Sequence, residues 1–369
     1  MSYQLSYISD IKRTMFMISA RTFRIRWIKS VAIYCVLIYI FLTVDHALFA
    51  RQKHHGRSHV EKHHHHKSQE AKHSPSRVQK AIPRSNLLVL SSMGRSGSSF
   101  LAEILASRGQ SFYFYEPVRS LPESQKHDEH SVREELRKAF RCEIQQEFLA
   151  VGDSPASSIR HPYTYKKDIA SVDMEILKDF CRKERFRIVK TIRTRLAWVS
   201  ELLQEDPTLK VIHLVRDPRG SLRSAAKVKW NLDPEKICSE IMEDLQTREE
   251  MEKKYPNRYL FVKYEDLAQD PFDKTIQMFR FLRGKPVHLP KRVKKYLWKH
   301  TTNTHKVKKS FGTHRTSEKM FQKWRNSISG PDLHAYENAC GDVIHALGHR
   351  RFGSEEMARN LTLSLVIGV

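Results

Sequence analysis

Apolar residues fall along this chain in two alternating rhythms. Short continuous runs occur at Leu87–Ser91, Phe112–Tyr115, Arg187–Lys190, Lys210–Val215 and Tyr259–Val262. Runs this short, rich in branched and aromatic side chains, predict strands buried on both faces. Between and beyond them, apolar residues recur every third or fourth position. That period predicts helices over Ser98–Ser107, Ser131–Glu147, Val172–Lys183, Leu196–Gln204, Gly220–Lys229, Pro234–Lys254, Pro271–Leu282, Pro290–Lys299 and Ser317–Asn326. Pro234, Pro271 and Pro290 stand at helix starts, where a missing N–H costs nothing. Strand–helix alternation predicts an α/β fold, a mainly parallel sheet flanked by helices, with ligands at the carboxyl ends of the strands.

The amino-terminal region breaks the pattern. Trp27 to Ala50 is a single apolar segment, uninterrupted from Val31 to Val44, with Asp45 and His46 near its far end. It is a short membrane span, since about 20 apolar residues cross a bilayer. Lys12, Arg13, Arg21, Arg24, Arg26 and Lys29 precede or enter it, which favours a cytoplasmic amino terminus, although the following segment is also basic. The rival is a cleaved signal peptide, but the preceding region is long and no clear small-residue cleavage site follows. The expected organisation is a cytoplasmic tail over 1–26, a signal anchor over 27–50, a stem over 51–83, a folded domain over 84–353 and a carboxy-terminal tail over 354–369. The stem is rich in His, Lys, Ser and Gln and too polar to bury a core. Its His63–His66 tract reads as solvated linker rather than as a metal site.

Charge narrows the partners. The 369 residues carry 65 Lys and Arg against 41 Asp and Glu, a net charge of +24. Such a chain meets polyanions or anionic surfaces. Nucleic acid, anionic lipid and sulfated glycan all fit, and the membrane segment argues against nucleic acid. Of the five cysteines, Cys35 lies in the anchor, leaving Cys142, Cys181, Cys238 and Cys340 in the domain. An even number in an oxidising compartment suggests two disulfides, and four cysteines allow three pairings that the sequence does not choose between. The expectation adopted is Cys142–Cys181 with Cys238–Cys340. No C-x-x-C spacing points to zinc.

The chemistry concentrates at two strand ends. Leu87 to Arg119 reads LLVLSSMGRSGSSFLAEILASRGQSFYFYEPVR, an apolar run, a small-residue loop and a helix. Loop amides and the positive end of the helix dipole make an anion cradle there. Gly94 and Gly97 let the backbone approach the anion, while Arg95, Ser96, Ser98 and Ser99 add donors. Ser98 stands where a nucleotide triphosphatase loop requires lysine. The second element, KVIHLVRDPRGSLRS over Lys210–Ser224, places Arg216 and Ser224 around another strand-to-helix turn. A kinase-like reading, with Asp217 on Mg²⁺, competes here and is weakened by the missing loop lysine and by Pro218.

With these elements and KYEDL at 263–267 in order, the chain resembles the sulfotransferases that use PAPS (3′-phosphoadenosine 5′-phosphosulfate). The wording RSGSSF and the later ENACGDVIHALGHR look most like Golgi carbohydrate 6-O-sulfotransferases acting on galactose, GalNAc or GlcNAc. The resemblance implies a P-loop-like sulfotransferase fold. It implies donor contacts from Gly94, Arg95, Ser96, Gly97, Ser98, Ser99 and Phe100 on the 5′ side, from Arg216 and Ser224 on the 3′-phosphate, and from Tyr264 beside the adenine. It also implies a glycan or glycosaminoglycan acceptor, a single-pass type II Golgi location and no metal, and leaves homodimer formation open. Lys190, opening Lys190-Thr191-Ile192-Arg193, would stabilise the leaving oxygen.

Ile192 occupies the position where cytosolic relatives carry a basic histidine, so the proton acceptor lies elsewhere. Glu116, after the aromatic strand, is the candidate general base; a turn cap or a pair with Arg119 is the plainer role for it. His213, alone in an apolar strand, reads as a satisfied core residue. Arg315, Trp324 and Arg325 are assigned to a loop over the nucleotide. The cations between Lys291 and Lys309 are either a solvated helix face or a guide for a sulfated polymer. Asn360-Leu361-Thr362 is a glycosylation sequon. A non-catalytic polyanion-binding protein is the rival from another class.

Overall fold

The computed structural model describes residues 84–151, 153–284, 288–302 and 321–367. They all belong to the second of two compact units, 79–369. The expected tail, anchor and stem over 1–83 lie outside the described residues, as do Lys306, Lys308, Lys309 and Arg315. No helix among the described residues is long and apolar enough to cross a membrane.

Six strands form one sheet: β1 (Ser85–Ser91), β2 (Ser111–Tyr115), β3 (Ile159–Arg160), β4 (Phe186–Thr191), β5 (Leu209–Val215) and β6 (Tyr259–Lys263). Their spatial order is β3-β2-β4-β1-β5-β6. All pairs are parallel except β2 with β3, a two-residue antiparallel edge absent from the sequence expectation. The other five strands lie where the apolar runs predict, each one or two residues longer. β1 is central, with β4 on one side and β5 on the other, so the chain reverses its direction of travel there and opens a crevice at the strand ends.

Twelve helices of five residues or more are described: α1 (Ser98–Ala106), α2 (Glu129–Arg141), α3 (Met174–Lys183), α4 (Val199–Glu205), α5 (Pro218–Ala226), α6 (Pro234–Lys254), α7 (Tyr264–Gln269), α8 (Pro271–Arg283), α9 (Lys291–Thr301), α10 (Gly330–Ala339), α11 (Gly341–Ala346) and α12 (Glu355–Arg359). Strand alternation splits the core in two. Leu88, Leu90, Phe112, Phe114 and Val189 face one layer with Val132, Leu136, Leu177 and Leu202 of α2 to α4. Leu87, Val89, Tyr113 and Ile188 face the other with Leu101, Leu105, Phe279 and Leu297 of α1, α8 and α9.

The single helix expected over 131–147 is two. Asp128 caps α2 by accepting from the Ser131 N–H at 2.8 Å, and the helix ends at Cys142, whose φ is 62°. A separate turn follows at Gln146–Leu149. Cys142 is bonded to Cys181 on α3, which fixes the chain direction at the break, and Cys238 on α6 is bonded to Cys340. Both bonds follow the expected pairing. Of the helix expected over 317–326, the described part is a 3-10 turn at Lys323–Asn326.

Candidate active site

The loop between β1 and α1 is braced from beneath. Ser91 Oγ donates to the Leu214 carbonyl at 2.8 Å, and Arg195 Nη2 donates to the Ser92 carbonyl at 3.1 Å. Ser92 Oγ lies 2.8 Å from His213 Nε2, and His213 Nδ1 lies 2.7 Å from the Tyr259 hydroxyl. Burial, with Arg195 and Arg248 nearby, pulls the His213 pKa down to about 3, so the ring is neutral and acts as a strut.

Gly97 is the N-cap of α1 at φ 93° and no side chain caps the helix, so its first amides are presented to a ligand. A Cβ on Gly97 would stand 2.5 Å from the Tyr264 ring; only glycine combines this φ with that approach. Ser96 is directed inward, 2.7 Å from Ser91 Oγ, and Gly94 packs against Trp230. These two residues shape the loop, while Arg95, Gly97, Ser98, Ser99 and Phe100 line the cleft itself.

At the end of β5, the pairing Val215↔Lys263 sets Arg216 beside Tyr264, the first residue of α7 after β6. The guanidinium lies 4.6 Å above that ring, and Nη1 donates to the Arg95 carbonyl at 2.7 Å. Its Nε is buried with no hydrogen-bond partner among the described residues, and so is Trp324 Nε1. Ser224 Oγ accepts from Arg95 Nε at 3.2 Å, so the two anion elements meet at Arg95, Arg216 and Ser224. Gly220 is where α5 passes beneath Trp324 and the Arg216 guanidinium.

Asp217 caps α5 and is fully buried, its carboxylate 2.8 Å from Arg219 Nη2 and 3.1 Å from His349 Nδ1. Burial alone would raise its pKa; Arg219 and His349 outweigh that and hold it well below the usual carboxylate range. Arg219 in turn bonds Glu337, whose carboxylate accepts from the Phe352 and Gly353 amides. Every part of Asp217 is engaged in joining β5 to the carboxy-terminal segment, which leaves no place for a Mg²⁺-binding role.

The third cluster follows from register. Tyr115 pairs with Lys190 across β2 and β4, so the next residue, Glu116, arrives at the Lys190 side chain. The Glu116 N–H donates to the Lys190 carbonyl at 2.8 Å. Glu116 has φ 58° and ψ 57°, a left-handed conformation costing a non-glycine residue roughly 1–3 kcal/mol. Its carboxylate is buried and bonded to Lys190 Nζ through Oε1, and to Arg193 Nη1 through Oε2 at 2.6 Å. Lys190 also lies 4.7 Å from the Tyr115 ring centroid. The immediate neighbours of Glu116 are thus two cations, and Arg119 instead donates to the Val151 carbonyl at 3.1 Å.

All three clusters open onto one cleft of about 700 Å³. Its walls carry nine Lys and Arg against two carboxylates, Glu116 and Asp153, a surface built for anions. The structure brings Lys190, Glu116, Arg216, Ser224 and Tyr264 together along it. Several of its residues were not anticipated as site residues: Arg193, Arg160, Arg223, Lys227, Lys323 and Trp230. Arg193 alone had a local signal, being three residues beyond Lys190 at the same strand end. The others come from distant segments that the fold brings in. No group of three or more His, Cys, Asp or Glu among the described residues is placed to hold a metal ion.

A parallel sheet with an amide cradle after its central strand and a cationic cleft above the strand ends is the framework of an anion-transferring enzyme. Residues 88–285 match the sulfotransferase family model, more than half of the chain, and the chain belongs to that family: it is a sulfotransferase. It is similar to carbohydrate sulfotransferase 1 of Danio rerio, 25% identical over 77% of this chain and 82% of that protein. It is equally similar to human carbohydrate sulfotransferase 1 (25%, covering 79% and 86%) and human carbohydrate sulfotransferase 3 (25%, covering 78% and 71%). Among solved structures, the sulfotransferase domain of the Synechococcus PCC 7002 olefin synthase aligns at 20% identity over 70% of this chain and 96% of that one, with a TM-score of 0.38.

Proposed function

We propose that this sulfotransferase moves a sulfonate group from PAPS to the 6-hydroxyl of galactose, GalNAc or GlcNAc in a glycan. The observation that carries the reading is the convergence on one cleft of the α1 amide cradle, Arg216 with its unpartnered buried Nε, and the Glu116–Lys190–Arg193 cluster. The residues fit such a donor. Two buried N–H groups, on Arg216 and Trp324, await acceptors, and glycines at 97 and 220 keep the cradle open. Arg95, Gly97, Ser98, Ser99 and Phe100 would hold the 5′ end on a loop shaped by Gly94 and Ser96, Arg216 and Ser224 the 3′-phosphate, and Tyr264 the adenine. That relatives at 25% identity are named carbohydrate sulfotransferases supports a sugar acceptor.

When bound, the donor supplies an activated sulfonate on a phosphate leaving group. Glu116 takes the proton from the sugar hydroxyl as the new oxygen–sulfur bond forms. Lys190 places its ammonium where negative charge collects on the departing oxygen, and Arg193 keeps the Glu116 carboxylate aimed. The same reading makes residues 27–50 a type II Golgi anchor with 84–353 in the lumen. The exposed Asn360 is then open to glycosylation.

Incubation of the full-length chain with radiolabelled PAPS and keratan, chondroitin, heparosan-type and mucin-type acceptors tests the proposal. Label at a 6-hydroxyl is the expected result. No transfer to any acceptor, with no saturable PAPS binding, would replace it with the polyanion-binding reading.

A further inference from the structure

Helix α9, KRVKKYLWKHT, opens on cations, and like α1 and α5 it has no acidic residue in its first turn. Helices α2, α3, α4, α6, α8 and α10 each carry an acidic residue in the first turn, matching the positive end of the helix dipole. Helix α9 has none and begins with Lys291, Arg292 and Lys294. Local choices that oppose stability mark functional surfaces. Its apolar face, Val293 and Leu297, is buried in the core. On the outward face, Lys291, Lys294, Lys295 and Trp298 recur at spacings of three and four and form one exposed stripe flanked by Lys299. Trp298, 66% exposed, is the most exposed large apolar side chain among the described residues.

The same helix reaches the cleft at its last turn. The Tyr296 hydroxyl donates to Glu103 Oε2 at 2.6 Å, and Glu103 is ion-paired to Arg160 of the cleft lining. The His300 ring stacks on Tyr296 at 3.8 Å and also lines the cleft. The helix thus reaches the cleft at His300, while the cationic stripe faces solvent along the same helix.

We propose that the outer face of α9 is an extended subsite for an anionic stretch of the acceptor chain. The lysines meet sulfate or carboxylate groups, and the Trp298 ring lies against the apolar face of a sugar. This rests on the glycan-acceptor reading above. An anionic bilayer is the weaker fit, because a membrane-surface helix inserts a broad apolar face and here that face is already buried.

The test uses the full-length chain carrying Lys294→Glu with Lys295→Glu, or Trp298→Ala. A control double reversal, Lys236→Glu with Lys253→Glu on exposed positions of α6, changes net charge equally. Rates are measured on the best sulfated or carboxylated polymer and on a trisaccharide cut from it. Binding of fluorescein-labelled chondroitin sulfate is followed by anisotropy. The α9 reversal should raise the polymer KM and weaken chain binding roughly tenfold, leaving kcat and the trisaccharide KM unchanged. Trp298→Ala should weaken chain binding severalfold. Equal effects from the α6 control, or equal effects on the trisaccharide, overturn the proposal. So does unchanged chain binding with lost binding to phosphatidylserine vesicles, which assigns the face to lipid. Should transfer itself fail for the wild type, the anisotropy arm still decides the subsite, while the catalytic reading falls separately.

Discussion

Replacing Glu116 by glutamine separates a proton acceptor from a structural anchor. The change conserves shape and leaves an amide oxygen for Lys190, but it deletes the charge that neutralises two cations. Lys190 is buried, with 4% of its side chain exposed, whereas the Arg193 side chain is 31% exposed. Removing one partner of a buried pair costs 3–5 kcal/mol, and the retained oxygen places this case near the lower end, about 3 kcal/mol. The half-buried Arg193, partly screened by solvent, adds little. For the compact unit 79–369 the unfolding entropy is about 0.6 kcal/mol/K, so the melting temperature should fall by about 5 °C. If Glu116 is the base, kcat/KM should fall by a further factor of roughly 10²–10⁴. Steady-state transfer, paired with thermal denaturation, reads both effects. A variant that melts about 5 °C lower yet keeps kcat/KM within threefold would refute the base assignment and leave Glu116 as a clamp on Lys190.

Other consequences are independent of that one. Arg216→Ala should raise the KM for PAPS about 10- to 100-fold, the worth of one or two charge-assisted hydrogen bonds, with kcat nearly unchanged; a donor titration in initial-rate assays checks it. The Cys142–Cys181 and Cys238–Cys340 bonds close separations of 39 and 102 residues, which corresponds to about 4 and 5 kcal/mol. Urea denaturation of the paired Cys→Ser variants should show the second bond to be worth slightly more. His213 has its pKa lowered to about 3, so the unfolded chain takes up the proton first as pH falls. Its stabilising contribution is complete above about pH 6.5 and is lost progressively below that, by about 2 kcal/mol at pH 5. His213→Gln should remove that part of the difference between denaturation curves at pH 7 and 5; an undiminished difference would place the acid sensitivity elsewhere.

The central strands were legible because strands covered on both faces carry continuous apolar words, Leu87–Leu90 in β1 and Val211–Val215 around His213 in β5. The anion loop was legible for a related reason: a small-residue run between strand and helix has few other uses. Strand β3 was not, since two residues form no pattern. The break at Cys142 was hidden because the helical period continues across it, and only the bond to Cys181 reveals where the chain must turn. Within the site, Lys190 and Glu116 could each be named from position at a strand end. Their ion pair could not, because it depends on which strand lies beside which. Arg160, Lys227 and Lys323 reach the cleft from separate parts of the chain, and nothing local to them signals that destination. Asp217 shows the converse case: a residue placed like a ligand in the sequence becomes an internal strut once Arg219 and His349 close over it.

The chain position of Trp324 has a consequence for how the protein is made. The amide cradle is synthesised early, yet the surface facing it across Gly220 is supplied by Lys323 and Trp324. Their neighbour Arg325 is fastened by the still later carbonyls of Ala358 and Asn360. A growing polypeptide therefore completes the whole sheet before the Trp324 wall of the cleft exists. The Cys238–Cys340 link likewise joins α6 to a segment made after that wall, so the cleft is finished only near the end of synthesis.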